Sequence, residues 1–349
     1  MAKMALVLVL GVLGGVTGAY SQGSDGCFTF PDLIYDSYIG AGGVAFNVGP
    51  DLYFLKNGAS EPEAVYRTRS SLISESLLLG DSIYMRSSRD NGTITRFQLP
   101  SGPVEIVASG LYYPRAFALS ESGVPIWMTE LDNEFARIET LKDGHIMELA
   151  RVPLRSGVTH RGLLYDRGAI FWIGEGGSLW RRDPTGKTSQ FCAAVSAENP
   201  KGCAAFFINM AQDDDFVYFH ESTKLRRISK RDSRVTDIWN FYASMPDLHI
   251  ASINIDSSYV YFAGTRGTGK PENQTGIIGR VNKGGGSPEI LNTYSKPNQP
   301  RSIGVVGSML FFTGRNSPEN DGWLCRLPIP MLRLSPTTPR KEPQKKKNP

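Results

Sequence analysis

Asp256-Ser257-Ser258-Tyr259-Val260-Tyr261-Phe262-Ala263-Gly264, followed by Gly276-Ile277-Ile278-Gly279-Arg280-Val281, is the stretch that decides the fold. An acidic, serine-rich turn leads into an apolar run headed by an aromatic pair. A polar connection with Gly267 then leads to a second run, in which apolar residues flank an arginine. Alternation of this kind marks strands with buried faces, and the short polar breaks between them mark hairpin turns.

The pattern recurs along the chain. Aromatic-led pairs stand at Tyr53-Phe54, Tyr84-Met85, Trp127-Met128, Phe171-Trp172, Tyr218-Phe219, Tyr261-Phe262 and Phe311-Phe312, with successive intervals of 31, 43, 44, 47, 43 and 50 residues. After each pair comes a short apolar run holding an arginine: Arg67, Arg96, Arg137, Arg181, Arg227, Arg280 and Arg326. A third run follows in copies such as Val104-Glu105-Ile106-Val107 and Ile146-Met147-Glu148-Leu149, and a fourth precedes the next pair, as in Ala116-Phe117-Ala118-Leu119. Four strands in a repeat of about 45 residues is the signature of one propeller blade. The sequence therefore predicts an all-β, β-propeller domain over 27–330. Seven blades are expected, with six blades and an N-terminal extension as the alternative. Arg67 and Tyr84 are only 17 residues apart, so the first blade is expected to lack one strand. Closure of the ring is assigned to the segment Phe28 to Ile39, added to the last blade.

The repeat around Tyr261 resembles the YWTD repeat of LDL-receptor-type propellers, which place an acidic turn before a Tyr-Trp strand and an Ile-x-Arg strand after it. Phe171-Trp172 with Leu179-Trp180-Arg181, and Trp127-Met128-Thr129 with Arg137-Ile138, carry similar echoes. The resemblance implies blade architecture over most of 40–330 and, in that family's usual ring, six blades.

The ends of the chain differ from its body. Lys3 and the apolar run Ala5 to Val16 predict a secretory signal over 1–20, since the run is too short to cross a bilayer. Residues 331–349 hold Arg333, Arg340, Lys341, Lys345, Lys346 and Lys347 against Glu342, a net +5 within a total of +4. With Lys3 set aside, the body is left mildly acidic, which argues against a nucleic-acid partner. The tail reads as a disordered, Pro- and Lys-rich segment suited to an acidic polysaccharide.

Sequons at Asn91-Gly92-Thr93 and Asn273-Gln274-Thr275 fit an extracellular, glycosylated protein without stable membrane insertion. Cys192 and Cys203 are expected to pair locally, leaving Cys27 to pair with Cys325 if the ring brings its ends together.

For function, Arg115, Arg161 and Arg301 stand shortly before their blades' leading aromatics, with His160 beside Arg161 and His249 ahead of Tyr261. These five residues would form a positive rim at one channel mouth, suited to a carboxylate, a phosphate or an acidic side chain. They equally suit a structural role, capping backbone carbonyls at the rim. The repeated strand arginines, such as Arg96 and Arg280, are expected to join blades. Asp132-Asn133-Glu134 and Asp213-Asp214-Asp215 are turn segments with a weak calcium reading; otherwise no metal, cofactor or nucleophile motif is present. The expected activity is binding of an extracellular protein or anionic ligand. The alternative is a hydrolase or lyase acting on a small molecule around His160, Arg161 and His249.

Overall fold

The computed structural model describes residues 21–22, 26–40, 42–67, 75–87, 92–111, 114–130, 135–153, 162–174, 177–194, 202–203, 210–268, 270, 273–295, 298–316 and 321–330. Residues 1–20 and 331–349, on which the expected signal and tail fall, and Asn91, His160, Arg161 and Asp132-Asn133-Glu134 lie outside them.

Seven antiparallel sheets follow one another along the chain, six of four strands, each with its strands in sequence order, and the last of five. Blades 1 to 6 span 34–67, 75–109, 114–153, 163–192, 211–240 and 248–294. Blade 7 takes three strands from 299–328 and completes itself with Cys27–Phe30, on whose far edge Ser21–Gln22 pairs. The first strand of each blade is innermost, and these strands pack on their neighbours around the ring. A seven-bladed propeller is thus the fold, as expected, and the six-blade alternative gives way.

Each of the seven interfaces between blades holds its own apolar cluster. A blade's two faces are both apolar, so neither can be left to water, and burying every face requires that the ring close. In blades 2, 4, 5, 6 and 7 the aromatic pair divides its labour. Tyr84, Phe171, Tyr218, Tyr261 and Phe311 face the following blade, while Met85, Trp172, Phe219, Phe262 and Phe312 face the preceding one.

Two blades depart from that register. In blade 3 Trp127 turns back toward blade 2, and opposite it on the third strand stands Glu139 rather than an arginine. The buried Glu139 carboxylate accepts from Trp127 Nε1 at 3.0 Å and Thr129 Oγ1 at 2.6 Å. In blade 1 the pair Tyr53-Phe54 lies on the third strand and Arg67 on the outer one. The short interval from Arg67 to Tyr84 therefore reflects a shift of landmarks, and blade 1 has all four strands. The closing segment is also shorter than expected. Pro31 interrupts it, so that Cys27–Phe30 pairs with blade 7 while Ile34–Gly40 becomes the innermost strand of blade 1.

Closure is covalent as well. Cys27 and Cys325 face each other in register and form a disulfide across 298 residues of chain, and Cys192 pairs with Cys203, both as expected. In the chain-entropy account a loop of that length removes on the order of 5 kcal/mol of freedom from the unfolded ensemble.

The strand arginines join blades where the register is regular. Arg181, Arg227, Arg280 and Arg326 stand opposite their leading aromatics, and each donates to a carbonyl just beyond the third strand of the next blade: Lys230 at 3.3 Å, Lys283 at 3.0 Å, Pro330 at 3.4 Å and Ala59 at 3.2 Å. Arg96 departs from this role, pairing with Glu105 of its own blade. Two lysines complete the link in the reverse direction. Lys230 reaches Asp166 of blade 4 and Lys283 reaches Asp213 of blade 5, both at 2.7 Å. Asp213 also caps its own turn, accepting from the amides of Asp215 and Phe216 and from the Tyr218 hydroxyl. Asp256 repeats this with Ser258, Tyr259 and Tyr261.

Burial pushes the Asp213 carboxyl up, but the Lys283 ammonium, the Tyr218 hydroxyl and the Phe216 amide outweigh it and hold the group below the ordinary carboxylate value. A carboxyl depressed in the folded state stabilises fully above its unfolded value, and that contribution is lost as pH falls through the folded one. Lys283→Met should therefore lower stability by about 1–2 kcal/mol near neutrality. Urea denaturation at pH 7 and again below pH 4 checks this, with the gap between variant and parent narrowing in acid.

Candidate functional site at the channel mouth

Strand direction gives the ring two unlike faces. Each innermost strand ends at a turn joining it to the second strand, and these turns are tight. Arg167-Gly168 of blade 4 takes φ values of 46° and 83°, and Gly307 of blade 7 a φ of 60°. Two-residue turns with positive φ match the strand twist and leave little beyond the strands. On the other face the chain enters each innermost strand, and most connections there are longer: 154–162 between blades 3 and 4, 193–210 between blades 4 and 5, and 267–274 within blade 6. Long connections on a rigid scaffold are where recognition residues concentrate.

The innermost strands open on that face with a recurring irregularity. The ladder slips between Pro114 and Phe117 in blade 3, between Ile250 and Ser252 in blade 6, and between Pro300 and Ser302 in blade 7. Arg115 lies within the first bulge and Arg301 within the last. Arg301 is exposed, and so is His249, which pairs with Thr265 just ahead of the blade 6 bulge. The chain thus places Arg115, His249 and Arg301 at the entry ends of three innermost strands, around one mouth. His160 and Arg161 lie outside the described residues, immediately before the innermost strand of blade 4. Bulges re-aim side chains and are frequent beside functional sites.

Further residues around this face carry no fixed spacing in the sequence. Arg86, buried at the end of the second strand of blade 2, donates to the carbonyl of Pro114, next to Arg115. Arg315 donates to Gln299 at 2.6 Å, and Gln299 donates to Gln274 at 2.9 Å, which ties blades 6 and 7. Arg86 comes two residues after its leading aromatic and Arg315 four, so no periodicity announces them. At blade 5 the buried Arg226 binds Glu221 at 2.7 Å, Asp237 at 2.9 Å and the carbonyl of Gly202 at 2.8 Å. That last contact pins the Cys192–Cys203 knuckle to blade 5. Within the knuckle Gly202 permits close packing of its two arms, since a Cβ there would meet the Ala194 carbonyl at 2.5 Å.

His220, in the sheet below this face, is buried, and burial drives its imidazole down to about 4, so it is neutral at physiological pH. Asp213 of the acidic turn is on the opposite face and is engaged by Lys283 and Tyr218. Among the described residues, no group of three or more His, Cys, Asp or Glu side chains converges as metal ligands do. Asn273, the sequon within the described residues, is exposed on the 267–274 connection of the same face.

No family model matches the chain, and no curated protein does. Solved structures do. A computationally designed protein, Ika8, superposes with a TM-score of 0.55 at 9% identity, covering 86% of this chain and 98% of its own. BamB from Moraxella catarrhalis gives a TM-score of 0.49 at 13% identity, covering 88% of this chain and 96% of that one. At 9% identity the likeness to Ika8 is one of fold alone.

Proposed function

We propose that this chain is a secreted, glycosylated propeller that binds an extracellular protein or a small anionic ligand at the mouth where its innermost strands begin. One observation carries the reading: Arg115 and Arg301 occupy matching bulges at the entry ends of innermost strands, on the face that bears the longer connections. Arginine at a rim suits carboxylates and phosphates, which a guanidinium can grip by paired hydrogen bonds. His160, Arg161 and His249 complete the rim in this reading. Residues 1–20 direct export, Asn91 and Asn273 carry glycans, and the tail 331–349 engages an acidic polysaccharide. The two disulfides are compatible with an oxidising compartment. The acidic turn, Tyr-Phe strand and Ile-Gly-Arg strand of blade 6 support a YWTD-type reading of the repeat, carried on a seven-bladed ring.

Fluorescence anisotropy of a labelled hexaglutamate peptide tests the rim. In chains ending at residue 330, so that the basic tail cannot itself hold the peptide, the double variant Arg161→Glu/Arg301→Glu should bind about tenfold or more weakly, a change of at least ~1.4 kcal/mol, at an unchanged melting temperature. Equal affinity in the two proteins would reject the mouth as the binding site.

A further inference from the structure

We infer that two copies of this chain pair through the outer edge of blade 3, where their outermost strands meet across a two-fold axis and join the two blades into one eight-stranded sheet. The contact is independent of the channel mouth.

An outer strand presents a row of unpaired amides and carbonyls, a template for strand addition that proteins blunt with bulges, charges or covers. Blades 1 to 6 all carry the same bulge. One extra residue stands on the outer strand at Val65, Val107, Leu149, Phe191, Ile238 and Leu291 in turn. Blade 7 has a regular outer strand, and Ser21–Gln22 covers it instead. Between the hairpin turn and the bulge each outer strand keeps a straight run. That run is two residues long in blades 1 and 6 and three in blades 2, 4 and 5, but four in blade 3: His145-Ile146-Met147-Glu148.

Blade 3 has the longest run because its outer strand, His145–Pro153, is the longest, at 9 residues. All four residues of the run are exposed, and two are apolar, Ile146 at 47% and Met147 at 37%, on opposite faces of the sheet. Among the described residues no strand pairs with this edge. The matching run of blade 4 is Thr188-Ser189-Gln190, as suits an edge left to water.

The register makes the edge complementary to itself. Asp143 and Gly144 form a two-residue turn with φ of 52° and 77°, closed by Lys142 and His145 as a hydrogen-bonded pair. Alternation then turns the N–H and C=O of Ile146 and Glu148 outward. Two-fold symmetry satisfies both residues at once when Ile146 of one copy pairs with Glu148 of the other, which gives four backbone hydrogen bonds. Met147 then lies opposite its own copy on the axis. The same register carries the exposed Asp143 of each copy alongside the exposed Arg151 of the other, so opposite charges meet at both ends of the contact. The two Glu148 carboxylates stand diagonally across the pair, and each is already held by Arg151 of its own chain at 3.3 Å. A contact this small falls below the ~1,200 Å² of stable complexes, so the dimer is a weak one, with a Kd of about 10–100 µM.

Sedimentation velocity of the full chain at physiological salt, from about 1 to about 200 µM, tests the pairing. The expected result is a concentration-dependent dimer, weakened about tenfold or more by Met147→Lys, which sets like charges opposite each other on the axis. Ile106→Lys, on the outer strand of blade 2, alters the most exposed of the large apolar side chains and should leave the dimer unchanged. Hydrogen exchange of the parent chain gives a readout that no variant's folding affects: the Ile146 and Glu148 amides should slow about threefold or more as the dimer fills. A parent chain that stays monomeric throughout would leave the edge to some other partner and overturn the pairing of copies. An equally strong dimer in folded Met147→Lys, or a dimer in which the Ile146 and Glu148 amides exchange as in the monomer, would place the contact elsewhere and overturn it too.

Discussion

The pairing of Cys27–Phe30 with the last strand of the chain is the constraint on which the rest of the molecule depends. Every blade has two apolar faces, and a row of seven would leave two of them in water at its ends. One short strand from the beginning of the chain, added to the final blade, turns the row into a ring and lets Phe28, Phe30, Phe46, Tyr53 and Phe311 share one buried cluster between blades 7 and 1. Phe30 packs edge-on against both Phe46 and Tyr53, at centroid distances of 5.2 and 5.4 Å. The disulfide at the same place makes the closure permanent. Hydroxyls add a polar contact at this seam, where Ser37 meets Ser302 and Thr313.

Once the ring is closed, its two faces are free to diverge. Turns on one face are short, strained toward positive φ and laced together by arginine, lysine and aspartate between blades 4, 5, 6, 7 and 1. The other face carries the bulges, the longer connections and the Cys192–Cys203 knuckle. The entry ends of the innermost strands are held by the closed ring at fixed mutual distances, the preorganisation that the proposed binding role calls for.

Much of this was legible in the sequence, for a physical reason. Strands buried on both faces must be apolar, and a repeated packing problem selects repeated residues, so the aromatic pairs and their partner arginines exposed the propeller and its seven units. Cys27 and Cys325 were readable once closure was demanded. What misled was the assumption that a landmark always occupies the same strand. Blade 1 solves its packing with Tyr53-Phe54 on the third strand, and blade 3 with Glu139 beneath Trp127, because an interface needs volume and satisfied polar groups, not a given residue at a given place. The mouth was legible in part. Arg115, His249 and Arg301 fall where strand starts can be counted from the aromatics, whereas Arg86, Arg315 and the Arg226 cluster depend on loop geometry that has no period.

Native-state hydrogen exchange of the Phe28, Thr29 and Phe30 amides tests closure most directly. If the N-terminal strand holds the ring shut, these amides exchange only through global unfolding, with the same free energy as the buried strand Val260 to Ala263 of blade 6. Fast exchange of the three amides, while blade 6 stays fully protected, would show that the strand frays without opening the ring and would contradict the account.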